Sequence, residues 1–93
     1  MPRVKIYSTA ICPICDNTKN LLRKWRIPYE EARVDRDRDQ LREMLAISNG
    51  ARMVPQIAID GQWIGGFTEL TELHMEGKLD ELVEQDASIP QTV

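Results

Sequence analysis

The amino-acid sequence predicts an α/β fold: a four-stranded mixed sheet flanked by helices, in the order β-α-β-α-β-β-α plus a short C-terminal helix. Three observations predict it. Short β-branched and aromatic runs alternate with segments of helical apolar period, the pattern of strand-crossover-strand units. Asp60-Gly61 separates two apolar runs, the signal of a two-residue hairpin. A chain of 93 residues, 42% hydrophobic and 29% charged, suffices for one modest core and leaves no room for a second domain.

The elements follow in order. "RVKIYS" predicts a strand over Val4 to Tyr7. A helix from Pro13 to about Arg26 is expected next, with Ile14, Thr18, Leu21, Leu22 and Trp25 on one face and Ile27-Pro28 ending it. "YEEARV" predicts a second strand, polar enough for a sheet edge. A second helix begins in "DRDRDQLREMLAIS", capped by Asp35 or Asp37, with Leu41, Met44, Leu45 and Ser48 facing inward and Asn49-Gly50 as its stop. Gln56 to Ile59 and Gln62 to Ile64 form the hairpin, and helices are expected over Thr68 to Glu76 and after Gly77. The first strand, helix and second strand make a right-handed parallel crossover, to which the hairpin adds two antiparallel strands. Residues 1–85 are expected to form the domain and 86–93 a frayed tail.

The net charge of −3 argues against a general nucleic-acid or anionic-membrane binder, because both need a basic surface. Arg23, Lys24 and Arg26 cluster at the end of the first helix, where cations suit the helix dipole, and read as a solvated face. Trp25 and Trp63 read as packing residues. No apolar run has the length of a signal peptide core or a membrane span, so a cytoplasmic protein is expected.

Both cysteines of the chain, Cys12 and Cys15, fall in "AICPICDN" with a proline between them. Three uses compete: a redox pair, half of a metal site, or a structural staple. A bridge closing so short a loop removes little entropy from the unfolded chain, and a reducing compartment disfavours a structural disulfide. Zinc needs about four ligands. Beyond the cysteines the chain offers one histidine, His74, which reads as a surface or half-buried helix residue, and no metal is expected. The redox reading fits the helix chemistry. Pro13 suits the first helical position, which makes Cys12 the cap. A thiolate there faces unpaired backbone N–H groups and the positive end of the dipole. An ordinary thiol, with a pKa of about 8.5, is only a few per cent ionised near neutrality, and making the thiolate dominant takes a depression of about 2 units. That is about 2.7 kcal/mol. The dipole supplies about 0.3–1 kcal/mol, so hydrogen bonds must supply the remainder. Cys15, one turn further in, is sheltered and reads as the resolving thiol.

Three stretches together, "YSTAICPIC", "MVPQIAIDGQWIGG" and "GKLDELV", resemble glutaredoxin in order and spacing, from about Val4 to Glu84. The resemblance implies a thioredoxin-like fold and a glutathione-dependent thiol-disulfide oxidoreductase, with Cys12 as nucleophile, Cys15 as resolving thiol and the two as a redox-active disulfide. Glutathione would be a co-substrate. Partners would be glutathionylated or disulfide-bonded proteins, with no nucleic acid or membrane and a monomeric state. It also implies a cis bond before Pro55, with the Val54 backbone pairing the ligand, and a γ-glutamyl carboxylate site at Gly65, Gly66, Phe67 and Thr68. For Thr68, capping of the last long helix is an alternative role.

The chain departs from the family pattern at several of these positions. Thr9 stands where a lysine often holds the glycyl carboxylate, Ile14 where a tyrosine often lines the groove, and Met53 where threonine is common. Phe67-Thr68-Glu69 replaces a small residue followed by aspartate. Arg52, directly before Met53, is a candidate to compensate by pairing with a ligand carboxylate, and a solvated arginine otherwise. Two further functions stay open at this point: an iron-sulfur carrier bridged by Cys12 and glutathione, and a redoxin serving a dedicated reductase or partner.

Overall fold

A computed structural model describes residues 2–84; the expected tail, 86–93, lies outside the described residues. The elements are β1 (Val4–Ser8), α1 (Pro13–Lys24), β2 (Tyr29–Arg33), α2 (Arg38–Ile47), β3 (Gln56–Ile59), β4 (Gln62–Gly65), α3 (Phe67–Met75) and α4 (Lys78–Glu84). They build one sheet in the order β2-β1-β3-β4. β1 runs parallel to β2 and antiparallel to β3, and β3 pairs antiparallel with β4. The polar strand β2 lies at an edge, where its exposed Glu30 and Glu31 meet water.

Alternation along the strands divides the core between the two faces of the sheet. Val4, Ile6, Ile57 and Ile59 meet Leu22 of α1, Leu70 of α3 and Leu79 of α4 on one side. Tyr7, Ala32 and Ala58 meet Met44 of α2 on the other. Full burial of a side chain such as Leu22 is worth about 1.5–3 kcal/mol against leaving it in water. Trp25 stacks on His74, ring centroids 3.8 Å apart, and so ties the end of α1 to α3. That half-buried place agrees with the reading of Trp25 as a packing residue and of His74 as a surface or half-buried helix residue.

Helix boundaries differ from expectation for local reasons. α1 stops at Lys24 rather than Arg26 because Arg26 takes φ 61°, the left-handed conformation that closes a helix. Its N–H donates to the Arg23 carbonyl at 3.0 Å and that of Ile27 to Leu22 at 2.8 Å, the paired bonds of a Schellman ending. Asp37 caps α2, accepting from the N–H groups of Asp39 and Gln40. The alternative, Asp35, is engaged elsewhere, with the Ala10 N–H and the Arg33 guanidinium. Ile14 departs from the inner stripe: Cys15, Thr18 and Leu22 are buried, but Ile14 is 51% exposed, because it lies on the open groove while Cys15 takes the inward place in the first turn. α3 begins one residue early, at Phe67, with Gly66 as its cap. Thr68 therefore sits inside the first turn, and the capping role considered for it does not hold.

Candidate active site

β1 delivers the chain through a short loop to Cys12, which has extended backbone (φ −153°) and caps α1. Pro13 occupies the first helical position, where its missing N–H costs no helical bond. The N–H of Cys15 donates to the Cys12 sulfur at 3.0 Å, so the cap bond expected from the sequence is present. The two cysteines form a disulfide with their Cα atoms 5.1 Å apart. Cys12 is 9% exposed and Cys15 0%, so an incoming sulfur can reach the first and not the second.

The loop before Cys12 is held by carboxylates from the β2 side. The Ala10 N–H donates to Asp35 at 3.1 Å, and Arg33 grips the same carboxylate in two bonds of 2.7 Å. Those Arg33 bonds, with backbone N–H donors, hold the Asp35 carboxyl well below the usual range. Buried Ser8 donates to Glu31 at 2.5 Å, and Lys19 of α1 donates to the same oxygen at 2.9 Å. Partial burial raises the Glu31 pKa, but the bonds from Ser8 and Lys19 outweigh it and the net displacement is downward. α1, which carries both sulfurs, is thereby tied to the edge strand.

Beside the cysteines lies a groove of about 580 Å³ between the Val54-Pro55 segment, β4 and the start of α3. The Val54-Pro55 bond is cis. Of the ligand residues expected from the resemblance, Ile14, Met53, Val54, Pro55, Gly66, Phe67 and Thr68 line this groove. Thr9 and Arg52 are not among its lining residues. Thr9 is half-buried at the end of β1, and Arg52 is exposed and pairs with no carboxylate among the described residues.

Four lining residues escaped the sequence reading: Gln56, Trp63, Ile64 and Glu69. Gln56 is a buried relay. Its amide donates to the Met53 carbonyl at 2.8 Å and accepts from the Trp63 indole N–H at 2.7 Å, which fixes the loop carrying Val54 to β4. A register shift between Ile57 and Ala58 gives β4 an extra residue. Gly65 at φ 116° carries that bend, and a glycine inside a strand pattern was the available signal for it. Glu69 accepts from the Gly66 N–H at 2.8 Å and folds over Gly65, where an added Cβ would lie 2.6 Å from its side chain. A Glu at the third position of a helix commonly accepts from the backbone N–H of the cap, so this contact was readable once Gly66 was placed as the cap.

Among the described residues no group of three or more His, Cys, Asp and Glu side chains is placed to hold a metal ion. No helix among them is long and apolar enough to cross a membrane.

Comparison with known proteins agrees with this geometry. The glutaredoxin family model matches residues 4–64. The glutaredoxin of Pseudomonas aeruginosa is 41% identical over 83 residues, 89% of this chain and 98% of that protein. The glutaredoxin of Neisseria meningitidis serogroup A is 40% identical over 84 residues, again 89% and 98%. Among solved structures, the buckwheat glutaredoxin-glutathione complex superposes with a TM-score of 0.80 at 27% identity, over 95% of this chain and 82% of that one. With a thioredoxin-like sheet, a Cys-Pro-Ile-Cys pair at the start of α1 and a family match that spans most of the described fold, the chain belongs to the glutaredoxin family and is a thiol-disulfide oxidoreductase.

Proposed function

We propose that the chain reduces protein-glutathione mixed disulfides and protein disulfides with glutathione as co-substrate. The observation that carries the reading is the cap at Cys12, whose sulfur accepts the Cys15 N–H, with Ile14 between the two cysteines lining the groove. In the reduced protein the Cys12 thiolate attacks the glutathione sulfur of a mixed disulfide, forming an S–S bond to glutathione and expelling the protein thiolate, which takes up a proton. A second glutathione thiolate attacks this adduct, releases oxidised glutathione and returns Cys12. With a protein disulfide, Cys12 forms a mixed disulfide with the substrate, and the Cys15 thiolate displaces the bound protein, leaving the Cys12–Cys15 bridge. Glutathione then reduces the bridge.

Glutathione would lie in the groove, its backbone along Val54 beside Pro55 and its γ-glutamyl carboxylate beside Gly66, toward the N–H groups of Phe67 and Thr68, since the Gly66 N–H is held by Glu69. Ile14 and Met53 would flank its cysteinyl segment. Thr9 and Arg52, outside the lining, would act only on groups that extend beyond the groove. The buckwheat complex supports this reading, since that protein binds glutathione on a similar fold.

The test separates the two sulfurs. Cys12→Ser should abolish turnover of a glutathionylated peptide and of a protein disulfide, whereas Cys15→Ser should keep the first and lose the second. Equal loss of both activities in both variants would sink this division of labour. Turnover with thioredoxin reductase and none with glutathione would shift the reading to a redoxin with a dedicated reductase.

A further inference from the structure

We propose that Met53 is an oxidation site whose sulfoxide weakens ligand binding in the groove. Met53 is 79% exposed and lines the groove directly before Val54. Its carbonyl is held by Gln56, so the residue stays at the groove wall. In the disulfide form both cysteine sulfurs are already bonded, and Met53 supplies the thioether that remains open to solvent at the site.

The reaction is a two-electron oxygen transfer. A hydroperoxide gives one oxygen to the thioether sulfur, which becomes a sulfoxide, and leaves as the corresponding alcohol or water. Access decides which methionine reacts. Met44 is buried at 0% in the core below α2, whereas Met75 is 82% exposed at the end of α3 and outside the groove lining. Met75 is therefore a control within the same chain, equally open and remote from the ligand.

The sulfoxide replaces an apolar wall by a hydrated S–O dipole. A ligand lying against Val54 must strip water from that oxygen. Of the side-chain N–H groups beside it in the groove wall, the Trp63 indole is engaged by the Gln56 carbonyl and the Gln56 amide is held in place by the Met53 carbonyl, so neither is free to turn toward the new oxygen. Covering a polar group without a partner opposes binding. The inference rests on the reading that substrates occupy this groove, and it extends that reading to control by the oxidant load.

The test uses the full chain in its disulfide form, treated with hydrogen peroxide and mapped by peptide mass. Dithiothreitol then reduces the cysteine pair and leaves sulfoxides in place. kcat/KM is measured on a glutathionylated peptide with glutathione, and the second-order rate constant, reported beside it, is measured on a peptide disulfide in a single turnover without glutathione, the reduced cysteine pair supplying the two electrons. Oxygen is expected on Met53 and Met75 and not on Met44, with a roughly tenfold fall in both constants, about 1.4 kcal/mol. Met75→Leu should show the same fall. Met53→Leu should retain after treatment the activity it had before, and methionine sulfoxide reductase should restore the wild type. The proposal is overturned if Met53 stays unmodified while Met75 reacts, if the oxidised protein keeps its kcat/KM, or if Met53→Leu loses as much as the wild type. Failure of the untreated protein on the glutathionylated peptide alone would overturn the glutathione reading and leave the second substrate to decide the role of Met53.

Discussion

Replacing Gln56 should damage the groove in graded steps that its hydrogen bonds dictate. The side chain is 7% exposed and makes one bond as donor, to the Met53 carbonyl, and one as acceptor, from Trp63. Each such bond contributes about 1 kcal/mol net. Trp63→Phe keeps most of the ring and loses the second bond, so about 0.5–1 kcal/mol is expected. Gln56→Leu loses both, about 1–2 kcal/mol. Gln56→Glu still accepts from Trp63 but sets a buried carboxylate against a carbonyl oxygen, costing about 2–3 kcal/mol at neutral pH. Burial and that carbonyl raise the folded pKa of the new carboxyl above its unfolded value of about 4.3. Its protonated form donates as the amide does, so the stabilising contribution is present below the unfolded pKa and lost as pH rises through the folded one. The assay is urea denaturation of each variant at pH 7 and pH 4.5, read as the difference from wild type, with KM for glutathione measured beside it. The Gln56→Glu deficit should shrink toward pH 4.5 while the Gln56→Leu deficit stays constant, and KM should rise in the order of the neutral-pH deficits. A Gln56→Glu protein as stable as Gln56→Leu at pH 7, with no change at pH 4.5, would refute the relay.

Arg26→Gly should stabilise the fold. Relief of the left-handed conformation, about 1–2 kcal/mol, exceeds the added unfolded-state entropy of about 0.5–1 kcal/mol, so Tm should rise by roughly 3–6 °C in a thermal melt, and Arg26→Ala should give no such gain. Gly65→Ala should lose about 1–3 kcal/mol in denaturant titration and weaken glutathione turnover, because φ 116° excludes a side chain and the new methyl meets Glu69. The depressed pKa of Glu31 gives stability that is present above its unfolded pKa of about 4.3 and disappears as pH falls through the lower folded value. Glu31→Gln should therefore flatten the acid limb of the stability curve. Lys19, whose pKa is raised chiefly by its bond to Glu31, should contribute at the other end, below about 10.4 and less as pH climbs past its folded value.

The alternation of strand and helix patterns was legible because each element satisfies its own period: β1 and β3 send odd and even residues to opposite faces, and Leu22, Met44 and Leu70 fall on inward stripes. The cysteine pair was legible for the same local reason, since Pro13 at the first helical position makes Cys12 the cap. The sequence left a choice open where a local rule had two candidates, and erred where a stripe met the site. Asp35 and Asp37 are both good caps, and only the tertiary bond from Ala10 removes Asp35 from the choice. Ile14 obeys the stripe, yet in the first turn Cys15 takes the buried place and Ile14 lies on the open groove. The Gln56 relay was not legible at all. It joins β3, β4 and the loop before Pro55: Trp63, opposite Ala58, reaches Gln56 diagonally on the same face of the sheet, and the Met53 carbonyl comes from a loop whose path no local pattern sets.

The groove's charge follows from the same substitutions that set this chain apart from the family pattern. Its lining contains one ionisable side chain, Glu69, and that carboxylate already holds the Gly66 N–H at the start of α3. A ligand carboxylate directed to that helix end meets a resident anion on one N–H and must use the remaining donors of the first turn. Thr9 brings no cation, and Arg52 stands outside the lining. Attraction between opposite charges therefore contributes little within the groove, and under the proposed function recognition would fall to backbone hydrogen bonding along Val54 and apolar contact with Ile14, Met53 and Phe67. Such contacts would read the shape of an extended peptide whether it ends in glutathione's carboxylates or continues as a protein chain, so under the proposed cycle one groove would serve both substrates.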